Sequence, residues 1–529
     1  MAKQGLSRAP LSAAPQGVAP QGVAPQGVAP QGSPPPSAAI SPGGGGNLPN
    51  AGPGYDLAPW RPSATDKWDW DKAAHLLRRA GFGGTPEEIE AAVALGMDRT
   101  VDILVTPSTT GLQEYGSRVL PHGEALNLTY DLNGQRAQWL YEMAYSFYPL
   151  KEKMALFWHD HWSVGIAAGT HAPLLNRHIN LFRQHGLGKF RNMVLAVTKD
   201  PAMLRWLDNY INGRKVGGKP TLNENYGREL LELYTMGVDN GYTQDDVEEA
   251  SKCLTGWSMR GYNSFYYNRG YHIAGAKTVL GKKISNGNSG NQGMQDAYDL
   301  VDVILGRLEP AEFLCDKIWR YFVNEAPPPA TLALLATRFR QDGYDIRSLM
   351  NAVLRSNIFY AKGSRRSLIK NPVEYVVGSI RNTGLTPLAR WRLLGARVEA
   401  AGYPLLRYTS PAGLDDGKAW IDTAALISRM NWTNELTQVS TTAGTQNRFN
   451  FGHEILRKNL TTDVQIVDHY LSILVDGDAP AKVRTDLIDF MNRIDSGPRK
   501  FSISNQNIVN GKVRGLVHLI QSLPEYQIN

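Results

Sequence analysis

Asn223-Glu224-Asn225-Tyr226-Gly227-Arg228-Glu229-Leu230-Leu231-Glu232-Leu233-Tyr234-Thr235-Met236-Gly237 reads as one helix with its start, its faces and its stop written in local chemistry. Asn223 can cap the exposed N–H groups of a first turn, and Gly237 can take the left-handed conformation that closes a last one. Leu230, Leu233, Tyr234 and Gly237 lie along one side. Glu224, Arg228 and Glu232 recur every four residues on another, where opposite charges meet across a turn. Glu229 stands outside that row. So many carboxylates around one arginine make either a polar site or a structural ion-pair ladder.

The same helical grammar continues on both sides of this segment. Thr85-Pro86-Glu87-Glu88 combines an N-cap, a first-turn proline and a capping-box carboxylate, and the helix it opens closes at Gly96. Thr243 with Asp246 opens a helix ending near Gly256, Asn371-Pro372-Val373-Glu374 opens another, and Asp345 starts one carrying Ile346, Leu349, Met350 and Val353. Apolar spacing of three and four predicts further helices over 134–148, 150–163, 172–185, 189–198, 311–323, 330–340, 388–400, 419–430, 462–475, 480–494 and 509–522. The expected fold is mainly α: one large multi-helix domain, with subdivision conceivable near 300 and 400. The exception is Met259 to Asn291, where Tyr and Phe cluster with Gly and Asn. That stretch predicts a short β-hairpin or irregular insertion, with Asn286 to Gly293 as a mobile surface loop.

Residues 1–60 are a different polymer. Ala-Pro-Gln-Gly-Val repeats in register from Ala14 to Val28, followed by Pro34-Pro35-Pro36 and Gly43 to Gly46. Proline every five residues forbids a continuous helix, and there is little to bury, so a disordered Pro/Gly-rich tail or spacer is expected. A protein partner for the tail is the functional alternative, but the basic anchor typical of proline-rich ligands is missing. The remainder, with 42% hydrophobic and 20% charged residues over the full 529, has the composition of a soluble globular chain. Cys253 and Cys315 are too few for a disulfide framework and have no CxxC spacing, though they could pair with each other. The net charge of +7 is modest for this length, and the basic residues are scattered rather than massed in a stripe, so nucleic acid is not strongly indicated. No run approaches the roughly eighteen apolar residues of a membrane span, and Met1 to Pro10 lacks the apolar core of a secretory signal, which at face value implies a cytoplasmic protein.

The histidines raise a metal hypothesis. His159 and His161 form an HxH pair in Phe157-Trp158-His159-Asp160-His161-Trp162, a chelating spacing on a strand. The context here is helical. At about 100° per residue the two rings stand about 200° apart, which puts His161 on the buried face, bonded to a carboxylate or carbonyl, and His159 at a helix end. His171, His178 and His185 are spaced by seven; two helical turns, about 10.5 Å, are too far for neighbours to share one ion, so each should meet a different partner. His272, in Tyr271-His272-Ile273-Ala274-Gly275, sits beside the non-helical insertion, as a loop-presented site residue or an exposed imidazole. There is no GxxxxGK[ST], GxSxG, strand-borne GxGxxG or HExxH. Gly81-Phe82-Gly83-Gly84 reads as a chain reversal between two helices.

Several segments in order carry a resemblance. Ala74 to Gly83, Phe157 to His161, Arg183 to Phe190, Asp200-Pro201-Ala202-Met203, Asn223 to Gly237, Leu254-Thr255-Gly256-Trp257 and Lys277 to Gly281 look like the successive signatures of the DUF1800 family. Lys317 to Phe322, Asn371 to Glu374, Trp420-Ile421 with Arg429-Met430-Asn431, and Pro524-Glu525-Tyr526 extend the likeness, so that it covers about residues 66 to 529. The resemblance implies a bacterial protein of a family without an assigned function, whose members are often exported and often occur beside a second uncharacterised family of sulfatase-like or phosphatase-like aspect. The chain departs from the family's pattern at Ile273, where Asp often follows the histidine, and between Leu405 and Gly417. The first departure weakens a His-Asp pair at His272.

Two classes of function follow. In the first, the Asn223 to Gly237 helix, the His159/His161 segment and the His272 loop meet in a site for metal-assisted hydrolysis. Glu229 or Glu224 is then the general base or a metal ligand, Arg228 binds an anionic group, His272 takes part in the chemistry, and His159 and His161 bind a divalent metal. A haem-type oxidoreductase is a subordinate version, though no attachment motif supports it. In the second class the same charges are a buried lattice in a non-enzymatic envelope or assembly protein.

Overall fold

Capping chemistry sets most helix boundaries in the computed structural model, which describes residues 57–106, 131–166, 171–286, 291–385, 391–415, 417–438, 451–494, 497–498 and 502–529. Thr85, Thr243, Asn371 and Thr462 each form a capping box, accepting from the backbone three residues on while that residue's side chain accepts in return. The helices they open are Pro86–Leu95, Gln244–Cys253, Pro372–Thr383 and Asp463–Val475. The described residues form 22 α-helices, making the fold mainly α, and the apolar periodicity located most of them within a few residues. One boundary moves further. The 419–430 expectation divides into a 3-10 turn over Gly417–Ile421 and an α-helix over Thr423–Thr437, because Asp422 accepts from the Ala425 amide and restarts the helix.

Two helices lie deepest. Pro372–Thr383 is buried at every residue, and Pro149–His161 is buried on nearly all sides. A helix without a solvent face must pair its polar groups internally. Lys153 of one accordingly forms an ion pair with Glu374 of the other, both side chains being almost wholly enclosed. Around this axis pack Leu132–Tyr145, Ala172–His185, Glu309–Phe322, Thr423–Thr437 and Gln506–Ser522. Trp158, Phe182, Phe190, Trp319, Tyr375 and Trp432 fill the core between them. Residues Pro53–Asn529 form one compact unit.

Strand structure among the described residues is limited to four antiparallel two-stranded hairpins. Two lie in the expected Met259–Asn291 region: Trp257–Arg260 with Ser264–Tyr267, in the register Trp257 to Tyr267, and Lys277–Val279 with Lys282–Ile284. A third, Lys215–Val216 with Lys219–Pro220, turns on two glycines with positive φ, and a fourth joins Arg493–Ile494 to Gly497–Pro498. Of the tail expected over 1–60, residues 1–56 lie outside the described residues, as do 287–290 of the expected 286–293 loop. Leu57–Trp60 belongs to the body: Trp60 is buried and its amide donates to the Arg355 carbonyl at 2.7 Å. Cys253 and Cys315 are separate buried thiols, not a disulfide.

Candidate functional site

The Asn223 to Gly237 segment forms a shorter helix than its caps imply. It runs Asn225–Glu232, with the Asn223 side chain accepting from the Asn225 amide at 3.0 Å. Beyond Glu232 the chain widens: the Tyr234 and Met236 amides donate to the carbonyls five residues back, and Gly237 turns with φ +93°. The ladder is present. Arg228 bonds Glu224 at 3.0 Å and Glu232 at 3.2 Å, and Gln244 closes the group by bonding both Arg228 and Glu224 at 2.8 Å. All three charged groups are about one-quarter to one-third exposed, which makes this a partly solvated tie between two helices. Gly227 is what lets those helices touch, since a Cβ there would overlap Ser251 Oγ. Glu229 differs: burial, with Glu232 adding to it, pushes its carboxyl up to about 7 against the pull of Arg228.

His272 is not an exposed loop residue. Its Nδ1 donates to the Thr255 carbonyl at 3.0 Å, and its Nε2 accepts from Lys277 Nζ at 3.2 Å. Lys277 in turn is ion-paired with Asp296, whose carboxylate lies 3.3 Å from His272 Nε2. A His-Asp contact therefore exists despite Ile273, because the carboxylate comes from the start of a distant helix, Gln295–Leu305. The Asp296 carboxyl is buried, yet the adjacent His272 ring, the Lys277 ammonium and the Asn286 amide hold it below the usual carboxylate range.

His159 and His161 share a helix but not a site. His159 lies in the last turn of its helix, as expected, and is buried there because the Pro149–His161 helix is enclosed on both faces. The His159 ring lies against Trp139, Tyr408 and His178, and neither nitrogen has a hydrogen-bond partner. His161 meets the expected carbonyl: Nε2 lies 3.0 Å from the Tyr234 oxygen. A carbonyl only accepts, so Nε2 carries the proton and Nδ1 presents its lone pair, which has no partner. Burial holds both imidazoles well below the ordinary histidine value, with a further push from His178 on His159 and from Lys317 on His161. Of the heptad set, His178 is buried between Asp200 at 2.7 Å and the Trp162 carbonyl at 3.0 Å. Among the described residues no three His, Cys, Asp or Glu side chains converge to hold a metal.

The prominent concavity lies on the other side of His161. A cleft of about 530 Å³ opens between the end of the Pro149–His161 helix, the Glu309–Phe322 helix, the start of Pro372–Thr383 and the 403–420 segment. Phe157, Tyr321, Tyr403 and Trp420 give it an aromatic lining, with Trp420 stacked on Tyr403 at 5.6 Å. Asp160, His161, Lys317, Asn371 and Glu374 supply polar groups. Asp160 Oδ1 accepts from the Tyr408 hydroxyl and the Leu414 amide, each at 3.1 Å, and Tyr408 also bonds the Tyr403 hydroxyl at 3.0 Å. Glu374 accepts from the Asn371 amide at 2.8 Å and Asn529 Nδ2 at 3.1 Å besides pairing with Lys153. The Tyr321 hydroxyl is buried and makes no close hydrogen bond among the described residues, although the Asn371 side chain stands near enough to favour its ionised form slightly. Burial first, then the nearby acidic groups, push the Tyr321, Tyr403 and Tyr408 phenols well above their ordinary value, so all three are hydrogen-bond donors at neutral pH.

The profile of a family described as "Protein of unknown function (DUF1800)" matches residues 75–528. The chain belongs to the DUF1800 family. No curated protein and no solved structure matches it. Four of the segments that carried the resemblance supply the cleft: Phe157 to His161, Lys317 to Phe322, Asn371 to Glu374, and Trp420. The Asn223 to Gly237 signature reaches it through Tyr234, whose carbonyl bonds His161 and whose ring lies against it. Glu224, Arg228, Glu229, His159 and His272 are not among its lining residues.

Sequence reasoning missed Asp160, Tyr321, Tyr403, Tyr408 and Lys317 as one group. They come from three distant segments, and no local spacing connects them. The available signal was the polar and aromatic content of motifs already singled out, Trp158-His159-Asp160-His161 and Lys317-Ile318-Trp319-Arg320-Tyr321-Phe322.

Proposed function

We propose that the protein is a hydrolase whose substrate occupies the Asp160–Tyr403 cleft, and that the chemistry is general acid–base catalysis by protein side chains. The observation that carries this reading is the unpartnered buried His161 Nδ1, on a cavity wall shared with the Tyr321 hydroxyl. Leaving a buried polar atom unpaired costs roughly 1–3 kcal/mol, which a bound substrate returns by pairing it. His161, kept neutral, accepts a hydrogen bond from a substrate hydroxyl or amide. Tyr321, kept protonated, donates to an oxygen on which negative charge develops. Asp160, fixed by Tyr408 and the Leu414 amide, is positioned as the base that takes a proton from water. Lys317, close enough to His161 to depress its protonation, adds a cation for an anionic transition state. Among the described residues the cleft brings no three His, Cys, Asp or Glu side chains together to hold a metal ion, so this reading rests on protein side chains alone.

On this reading the Glu224–Arg228–Glu232 ladder and the His272–Lys277–Asp296 group are braces that hold the helices behind the cleft. The test is a panel of chromogenic carboxyl esters, phosphate esters, glycosides and anilides assayed with the native protein and with Asp160→Asn. Turnover of one class, lost in Asp160→Asn at unchanged thermal midpoint, is the expected result. Turnover that survives Asp160→Asn removes the assignment.

A further inference from the structure

The two hairpins near the start of the Asn225–Glu232 helix, with the chain that flanks them, carry a local excess of basic residues. Over residues 205–221 and 257–271 the chain has Arg205, Arg214, Lys215, Lys219, Arg260 and Arg269 against the single carboxylate Asp208. Elsewhere most arginines and many lysines are ion-paired, with Arg183, Arg228, Arg355 and Arg366 each reaching two carboxylates. None of these six cations forms a salt bridge among the described residues. The two segments are tied together: Ser258 Oγ bonds the Tyr210 carbonyl at 2.5 Å, the Gly256 amide bonds the Asn212 carbonyl at 3.3 Å, and the Arg205 guanidinium lies over both Tyr210 and Tyr262.

Apolar groups sit among these charges at the hairpin turns. Val216 is 69% exposed and Tyr262 72%, and both are next to glycines with positive φ, Gly217 and Gly261, that turn the chain outward. Exposed branched and aromatic side chains embedded in unpaired Lys and Arg suit a boundary between water and hydrocarbon with negative headgroups. Single-stranded nucleic acid, which would need open ring faces, fits less well. A guanidinium already takes one face of Tyr262 at 5.2 Å and of Tyr266 at 4.4 Å.

We infer that the Lys215–Lys219 and Arg260–Tyr266 hairpins form a peripheral docking surface for an anionic phospholipid bilayer. The cations are drawn to the headgroups, and Val216 and Tyr262 enter the interfacial layer. The surface is independent of the proposed hydrolytic cleft.

The test is co-sedimentation of the full chain with vesicles of phosphatidylcholine alone and of phosphatidylcholine containing phosphatidylserine as a minority component. Binding to the serine-containing vesicles only, weakened by added salt, is expected. At about fivefold per basic residue, the triple charge reversal R214E/K215E/K219E should lower the partition coefficient by at least about a hundredfold. Because these side chains are solvent-exposed, an unchanged circular dichroism spectrum and thermal midpoint separate that loss from misfolding. V216S/Y262S, which keeps every charge, should weaken binding by a smaller factor. Equal binding to both vesicle types, no binding to either at low salt, indifference to the charge reversal, or binding to single-stranded oligonucleotide in place of vesicles overturns the inference.

Discussion

Replacing Glu229 with Gln isolates the one carboxyl in the Asn223 to Gly237 segment that the ladder leaves out. Its carboxyl is raised from 4.5 to about 7 by burial, with Glu232 adding and Arg228 opposing. The folded protein therefore holds a proton that the unfolded chain releases between those two values. The stability this contributes is complete below pH 4.5 and is lost as pH rises through about 7. A shift of roughly 2.5 units corresponds to about 3.4 kcal/mol at 1.36 kcal/mol per unit, and partial access to solvent reduces this to about 1–2 kcal/mol. Gln mimics the protonated acid and does not titrate. Glu229→Gln should thus match the native protein near pH 5 and exceed it by about 1–2 kcal/mol near pH 8, measured by urea unfolding at both values. Other titrating groups act on both proteins alike and cancel in the difference. A difference that is independent of pH, or a variant less stable at pH 8, refutes the burial argument.

The remaining predictions concern the helices around the cleft. Glu374→Gln leaves Lys153 buried without its counter-charge and should cost about 3–5 kcal/mol by denaturant unfolding, most of which the added change Lys153→Met recovers. Tyr321→Phe removes a buried hydroxyl that makes no close hydrogen bond among the described residues. It should leave the thermal midpoint unchanged or raise it by up to about 1 kcal/mol in stability, while weakening any ligand of the cleft in calorimetry. Gly227→Ala drives a methyl into Ser251 and should cost about 1–3 kcal/mol, read as a lowered thermal midpoint.

Most of the fold was legible because helix boundaries here are local chemistry. The four capping boxes sit within four residues of sequence each, and apolar spacing marks a helix whether or not its neighbours are known. The enclosure of two histidines was not legible. His159 lies in the last turn of its helix, as its position implies, but is fully buried, and the His272 side chain, open in sequence to a site role or an exposed one, is only 4% exposed beside Asp296. Burial on a second face depends on partners far along the chain, and periodicity does not report it. The site was legible in its parts only. Asp160 stood inside a recognised motif, but what makes it a candidate is Tyr408 and Leu414, about 250 residues later, bonding the same oxygen. The ladder was the reverse case, a purely local pattern whose i, i+4 spacing predicted its bonds but carried no information about a cavity.

The most direct test of the cleft as a substrate site is a crystallographic fragment soak of the full chain, using small hydroxyl-, amide- and carboxylate-bearing rings. Fragments held between Phe157, Tyr403 and Trp420, with one atom hydrogen-bonded to His161 Nδ1 and another to Tyr321 Oη, are the predicted result. Fragments that collect elsewhere on the molecule, leaving both atoms unpaired in an empty cleft, would contradict the account.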